Sequence, residues 1–597
     1  MRIYAKIYSV IAVALGALNA CSLIHDDPDD CQLYTPEGVP YAYVAVAFNT
    51  GMNTSTRSDE NDPKDPTGGE DGDGPEVGQS NENQVNDITL FFYEATDKVK
   101  GVNSDPETSI VARHHFKNGE FTYNGGTNAQ TNPVEVTDLL VNHSYHVLAV
   151  VNGGESFGVN VATLGELQQK TVTSIYSQDN GYSNFLMASA DDENYPLEIY
   201  PSNSETNPAH TVIDVERVSA RVDYRAQGSE GNTDGTTYQV GENGTLGMAR
   251  ITGAMLMNVL DAEAPSWLLK RVADDFLGAN LVYLGKEKAD AVNGAASNYV
   301  IDAKQSEDES DFIATTYFKN FNYTDLAWES QFIEGSLIDD LAENYNCIGY
   351  PKENVNQQGD KGLTTGVVFR AQYTPTGMSE GHTFFEWDGT VYPSLEAMME
   401  ADFPSSWEII MDDWSDIQTW EDLRANIISK LADDPVGYKA YLREVSGNES
   451  GNIDVSTLSW ASYLKTKCYY EVQDGKAMVD VGLSPEESGT TRRIFHDLSG
   501  LATYKDGICY YTYWIKHAND LNEDNNLVGS KDKTGGVMEY AIVRNNVYKL
   551  NVTSIAGPGG DIPGDRNVNV NVLVEDWQVI SPGEDVELEP VTSNGQN

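Results

Sequence analysis

The sequence is short of cations. Its 597 residues include 38 Lys and Arg against 92 Asp and Glu, a formal net charge of −54. That balance excludes nucleic acid as the main partner, because binding phosphates needs clustered cations. It also opposes docking on anionic lipid. Cysteine is as sparse. Cys21, Cys31, Cys347, Cys468 and Cys509 are too few for a disulfide scaffold, and none stands in a CxxC pair or at zinc spacing with histidine. A Cys468–Cys509 bridge and buried thiols both fit. Beyond the first twenty residues no apolar run approaches the roughly 18 that a membrane helix needs. No fixed-period repeat occurs, which excludes a solenoid.

Catalytic signatures are missing too. There is no HExxH, no GxSxG and no Walker loop. His114 and His115 are adjacent in a strand candidate, where neighbouring side chains face opposite ways, so they cannot act as a pair. With so many carboxylates, a glycosidase pair chosen by eye carries no weight. Asp520, Asn522, Asp524 and Asn526 have calcium-loop spacing. However, Asn525 stands where the turn glycine belongs and Lys531 where the bidentate Glu belongs. No enzyme, cofactor or metal site is expected.

What remains is a β-forming chain. Apolar residues make up 40%, with 33 Tyr, 52 Gly and 22 Pro, which suits many short strands and turns. Strand candidates are 41–49, 87–94, 109–116, 144–152, 184–190, 196–200, 210–225, 250–260, 366–375, 508–516 and 538–553. Thr163-Leu-Gly-Glu166 is a capping box opening a short helix. Thr419 can cap a second helix, with Trp420, Leu423, Ile427 and Leu431 on one face. A linker or long turn follows Gln227. The expected fold is mainly β: two β-sandwich, transthyretin-like domains, the second with this helical insertion.

The two ends are the most informative. Met1–Ala20 has the form of a lipoprotein signal peptide, with Arg2 and Lys6 before an apolar core and Leu18-Asn19-Ala20-Cys21 as its lipobox. That lipobox implies cleavage before Cys21 and acylation of its sulfur. Val44, Val46 and Phe48 then mark a strand apolar on both faces, hence buried. Residues 50–84, rich in Gly, Pro and acids, read as a loop. Arg57 in that loop is the first Lys or Arg after Cys21. A protease cutting there would remove the lipid and the first strand together. At the other end Val568, Val570, Val572 and Val574 alternate with Asn567, Asn569 and Asn571. Trp577, Val579 and Ile580 follow, then Val586 and Leu588 after a Ser581-Pro582-Gly583 break. Such a segment must pair with some sheet, its own or a neighbour's.

These features together resemble the Bacteroidales-type fimbrillins, lipoprotein subunits of type V pili, and most closely the minor (short) fimbrium shaft group. The runs EYAIVRNNVYKLNVTSIAGPGG and NVNVNVLVEDWQVISPGEDVEL are similar to that group's C-terminal signature. GICYYTYWIKH, HTFFEWDGTVY and VIDVERVSARV add to the likeness. The resemblance implies an organisation: signal peptide 1–20, propeptide 21–57 with the first strand, N-terminal sandwich 58–230, C-terminal sandwich 231–566, and donor-strand segment 567–597. It implies a lipoprotein precursor at the outer membrane, lipidated at Cys21. An arginine-specific or trypsin-like protease would cut after Arg57, making Ser58 the first mature residue. Loss of Val44, Val46 and Phe48 would open a groove. Trp577, Val579, Val586 and Leu588 of an identical subunit would fill it, head to tail. The function implied is that of a shaft subunit supporting adhesion, with anchor and tip subunits as further partners. An anchor or tip subunit, and a monomeric glycan-binding surface lipoprotein, are the alternatives.

Overall fold

The structure is a computed structural model. It describes residues 42–49, 78–95, 105–123, 128–179, 181–190, 196–229, 236–273, 281–283, 299–303, 330–338, 341, 344–355, 364–387, 389–394, 397, 401, 468–473, 476–481, 502–515, 517, 540–561 and 569–576. Cys21, Arg57, Ser58, Trp577, Val579, Val586, Leu588, the calcium-like run and the Thr419 helix lie outside these residues. Among the described residues no helix is long and apolar enough to cross a membrane.

The chain is mainly β, as its composition predicts. The first half holds β1 (Ala42–Asn49), β2 (Asp87–Glu94), β3 (Ile110–Lys117), β4 (Phe121–Tyr123), β5 (Asn128–Thr131), β6 (Val134–Val136) and β7 (Ser144–Val151). The helix α1 (Leu164–Gln168) comes next, followed by β8 (Thr171–Val172), β9 (Met187–Ser189), β10 (Leu197–Glu198) and β11 (Ala209–Arg217). One curled sheet joins most of these in the order β3-β2-β7-β9-β11-β1-β5-β4, with β10 on β7 and β6 on β1. Strands β2 and β7 are apolar on both faces because each lies between two cores. Ile88, Leu90, Phe92, Ala149 and Val151 enter the main one. Phe91, Tyr93, Leu148 and Val150 pack on the far side with Leu164 and Leu167 of α1. The capping box forms: Thr163 Oγ1 accepts from Glu166 N at 3.3 Å, and the Glu166 carboxylate accepts from Ala162 N at 2.6 Å.

The second half begins with β12 (Arg221–Ala226), β13 (Thr237–Val240), β14 (Gly247–Met257), β15 (Ser266–Trp267), β16 (Arg271–Ala273), β17 (Val282–Tyr283), β18 (Tyr299–Val300) and β19 (Asn346–Gly349). It continues through β20 (Gly366–Pro375), β21 (Phe384–Trp387), β22 (Thr390–Tyr392), β23 (Cys468–Gln473), β24 (Lys476–Val481) and β25 (Ala502–Tyr504). The last three are β26 (Ile508–Trp514), β27 (Asn546–Ser554) and β28 (Asn569–Asp576). Two four-stranded sheets, β19-β12-β27-β28 and β13-β14-β20-β26, enclose the second core. Tyr224, Tyr238, Val367, Phe369, Tyr511, Tyr548 and Leu550 are buried there. This core is rich in tyrosine, and Tyr238, Tyr373, Tyr504 and Tyr511 each place a hydroxyl on a backbone carbonyl.

Two strand readings are corrected. Residues 210–225, taken as one strand, are two strands in two sheets. Val218 N donates to Leu186 O on the first-half side, whereas Ala220 N donates to Pro351 O in the second half. The backbone changes partners across three residues, so β12 belongs to the C-terminal sheet, ahead of the boundary near 230 read from composition. Residues 540–545 are irregular, with Ile542 in an isolated bridge to Asn354 and a turn ending at Asn545 with φ 54°, and only 546–554 is strand.

Candidate functional site

The first strand occupies an interior position. On one edge β1 runs parallel to β11, with Val44 opposite Ala209, Val46 opposite Thr211 and Phe48 opposite Ile213. On its other edge it pairs antiparallel with β6 (Ala42 to Val136, Val44 to Val134) and β5 (Ala47 to Gln130, Asn49 to Asn128). Backbone groups along both sides of β1 are thereby engaged. Val44 is fully buried in a core that includes Phe116, Val136, Leu139, Ile213 and Val215. Its side chain alone contributes about 1.5–3 kcal/mol of burial.

Both neighbours of β1 come later in the chain, so it can leave without breaking the order of the remaining strands. Its departure would bare β11 on one side and β5 and β6 on the other, beside an apolar floor. A slot of that kind accepts an extended strand through main-chain bonds and alternate side chains.

The segment just before β2 is held by buried charge. Glu82, Arg217, Arg221 and Asp223 are all at or below 1% exposure. Arg221 Nη1 lies 2.9 and 3.2 Å from the Glu82 carboxylate oxygens, and its Nη2 lies 2.9 Å from Asp223 Oδ2. Tyr350 donates its hydroxyl to Glu82 Oε1 at 2.6 Å, and Gln79 N donates to Oε2 at 2.6 Å. Arg217 Nε donates to Glu82 O at 3.1 Å, and its Nη2 bonds to Asn83. Burial alone would raise the Glu82 carboxyl. Arg221 and Arg217, with the Tyr350 and Gln79 donors, outweigh it and hold the group below the usual carboxylate range. Composition could not find this site, since nothing in the sequence marks Glu82 off from the other acids.

A second buried cluster lies at the same junction. Arg544 Nη2 sits 3.0 Å from Glu353 Oε2 and donates to Trp267 O at 2.7 Å, while Nη1 donates to Leu268 O at 3.0 Å. Glu216 on β11 is 1% exposed, with Lys270 Nζ at 3.4 Å from one oxygen and, among the described residues, no hydrogen-bond partner on the other. Burial pushes its carboxyl up to about 7 against the pull of Lys270 and Arg544. A raised acid binds its proton more tightly in the folded chain than in the unfolded one. Stability is therefore expected to fall as pH rises from about 5 to about 7. Thermal melts across that window test this: Glu216→Gln should flatten the slope, and an unchanged slope would contradict it.

The C-terminal strand has a definite partner. Val570, Val572 and Val574 of β28 lie opposite Val552, Leu550 and Tyr548 of β27, so residues 569–576 complete the chain's own sheet as its edge strand. Between a place in its own sheet and one in a neighbour's, both open to the sequence, the structure puts this run in its own.

This region also matches a known family profile. Residues 502–582, which span β25 to β28, match the family described as major fimbrial subunit protein type IV, fimbrillin, C-terminal. The chain carries a fimbrillin C-terminal region. Solved structures that align with this chain include the following three. A fimbrilin (FimA) of Porphyromonas gingivalis is 12% identical over 90% of this chain and 99% of its own, with a TM-score of 0.33. The tip fimbrial protein Mfa3 of Porphyromonas gingivalis, with C-terminal truncation, is 9% identical over 90% of this chain and 100% of its own, TM-score 0.32. A fimbrial assembly protein of Parabacteroides distasonis is 10% identical over 57% of this chain and 86% of its own, TM-score 0.27. No curated protein matches the chain in sequence. The family match covers residues 502–582.

Proposed function

We propose that this fimbrillin is a structural shaft subunit of a cell-surface fimbrium that supports adhesion. In this reading the precursor is lipidated at Cys21 and reaches the outer membrane. An arginine-specific or trypsin-like protease then cuts after Arg57. The mature chain, starting at Ser58, loses β1, and the segment following β28 of an identical subunit enters the vacated slot. Trp577, Val579, Val586 and Leu588 supply its apolar side chains. Anchor and tip subunits end the fibre.

The observation that carries this reading is the position of β1: the first strand is paired along both edges and followed in sequence by the Gly-, Pro- and acid-rich run holding Arg57. A contact between a slot at one end of the chain and a segment at the other is heterologous, and it propagates a filament instead of closing a dimer. Without residues 1–57, which hold three cations and five acids, the processed chain keeps a net charge of −52, which would keep unassembled subunits apart.

The test is the N-terminal sequence and mass of the protein sheared from its native cells. A start at Ser58 in SDS-resistant ladders is expected. A lipidated Cys21 terminus on a monomer would overturn the shaft reading.

A further inference from the structure

Away from the β1 slot, the two halves of the chain enclose an open cleft of about 830 Å³. It lies between the turn at residues 173–182, the stretch from the end of β14 to residue 263, and the strips 330–337 and 348–352. One wall is a cluster of tyrosines. The Tyr176 and Tyr182 rings are 5.1 Å apart at 71°, and Tyr182 lies 4.7 Å from Tyr350 at 47°. Tyr350 is buried, whereas Tyr176 and Tyr182 are only partly covered, so ring surface is left facing the cleft.

The rim is polar. Asp261 Oδ1 accepts from the backbone N–H of Glu263 at 2.9 Å and of Ala264 at 3.0 Å, which fixes the turn and leaves the second carboxylate oxygen for a ligand. Glu263 and Gln331 stand beside it. Lys352 is 4% exposed, and its ammonium donates to Ala262 O at 2.9 Å and Ala264 O at 2.7 Å. Its positive charge thus holds the carboxylate-bearing turn in place. Burial lowers that ammonium to about 8 against the opposing pull of Asp261 and Glu263.

These walls select by chemistry. An apolar ligand would strand the rim carboxylates without water or donors. An anion would meet Asp261 and Glu263 inside a chain of net charge −54. An extended cationic peptide would meet the Lys352 ammonium next to the two acids. A pyranose satisfies both surfaces: its C–H face lies on a tyrosine ring while its hydroxyls donate to carboxylate and amide oxygens. Clefts at the junction of two domains are common sites for such ligands. We propose that this cleft binds a neutral oligosaccharide, with Tyr182 as the stacking platform and Asp261 as the hydroxyl acceptor. The proposal stands independently of polymerisation, since it uses neither β1 nor the segment after β28.

The purified full-length chain would be applied to a printed array of neutral and sialylated oligosaccharides, with an oligolysine peptide as a cationic probe. The best neutral glycan would then be titrated by calorimetry. Tyr182→Ala and Asp261→Asn should each weaken binding about tenfold or more. Asparagine keeps the oxygen that caps the turn, so Asp261→Asn tests the acceptor without unfolding the rim. Unchanged melting curves and SDS-resistant ladders in that variant would separate the cleft from assembly. Absence of any neutral glycan among the ligands, binding of oligolysine alone, or unaltered affinity in both variants would overturn the proposal.

Discussion

Replacing Arg221 by alanine is expected to destabilise the folded chain by about 3–5 kcal/mol, the usual cost of leaving a buried charge uncompensated. The size follows from the geometry. The guanidinium is fully buried and is shared by Glu82 and Asp223, themselves fully buried. Its removal leaves two carboxylates with no route to water. The Tyr350 hydroxyl and Gln79 N–H still reach Glu82, and the Arg217 guanidinium still lies near it. Those partial replacements place the loss within that range instead of above it. Glu82→Gln should cost less, because the amide stays neutral and keeps an acceptor for Tyr350. Because Glu82 is held low, its stabilising contribution is present above the unfolded carboxylate pKa and disappears as pH falls through its folded one. Urea unfolding at neutral pH checks the main effect, and a loss below about 1 kcal/mol would show that the ion pair is solvated in solution.

The second large effect concerns assembly. Ala47 on β1 lies opposite Val212 on β11, and Val212 is 45% exposed, on the outer face of the sheet. Cysteines at both positions should bridge under oxidising conditions, since directly paired strand residues fall within disulfide reach. The native Cys347 and Cys509 are buried, which keeps them from competing for the new thiols. Oxidised, the double variant Ala47→Cys/Val212→Cys should carry β1 permanently in its slot and form no ladder, even after cleavage at Arg57. Reductant should restore ladder formation to the level of the parent chain. Ladders from the oxidised form would mean that polymerisation does not require β1 to leave.

Strands made of alternating or continuous apolar runs were legible in the sequence. Asp87–Glu94 and Gly366–Pro375 occur with the limits the pattern implies, and the Thr163 capping box closes as its spacing requires. The division of 210–225 was not legible. Val218-Ser219-Ala220 carries no Gly, Pro, Asn or Asp, and the switch of sheets is decided by carbonyls at 186 and 351, remote in sequence. The same holds for the buried charges. Arg221 reaches a partner 139 residues away and Arg544 one 191 residues away, so local pattern placed them inside the strand candidates 210–225 and 538–553 without marking them. The slot around β1 was half visible. Alternation marked Val44 as buried, but the parallel pairing with β11 on one side and the antiparallel pairing on the other depend on contacts that no local period records.

Three residues separate β11 in the first sheet from β12, which lies between β19 and β27 in the second. A pull applied across the subunit therefore does not simply straighten a hinge. It must slide β12 lengthwise against two neighbours, breaking their cross-links together and not one at a time. A pull directed along β12 would load this junction in shear and make the two sheets respond as one stiff link.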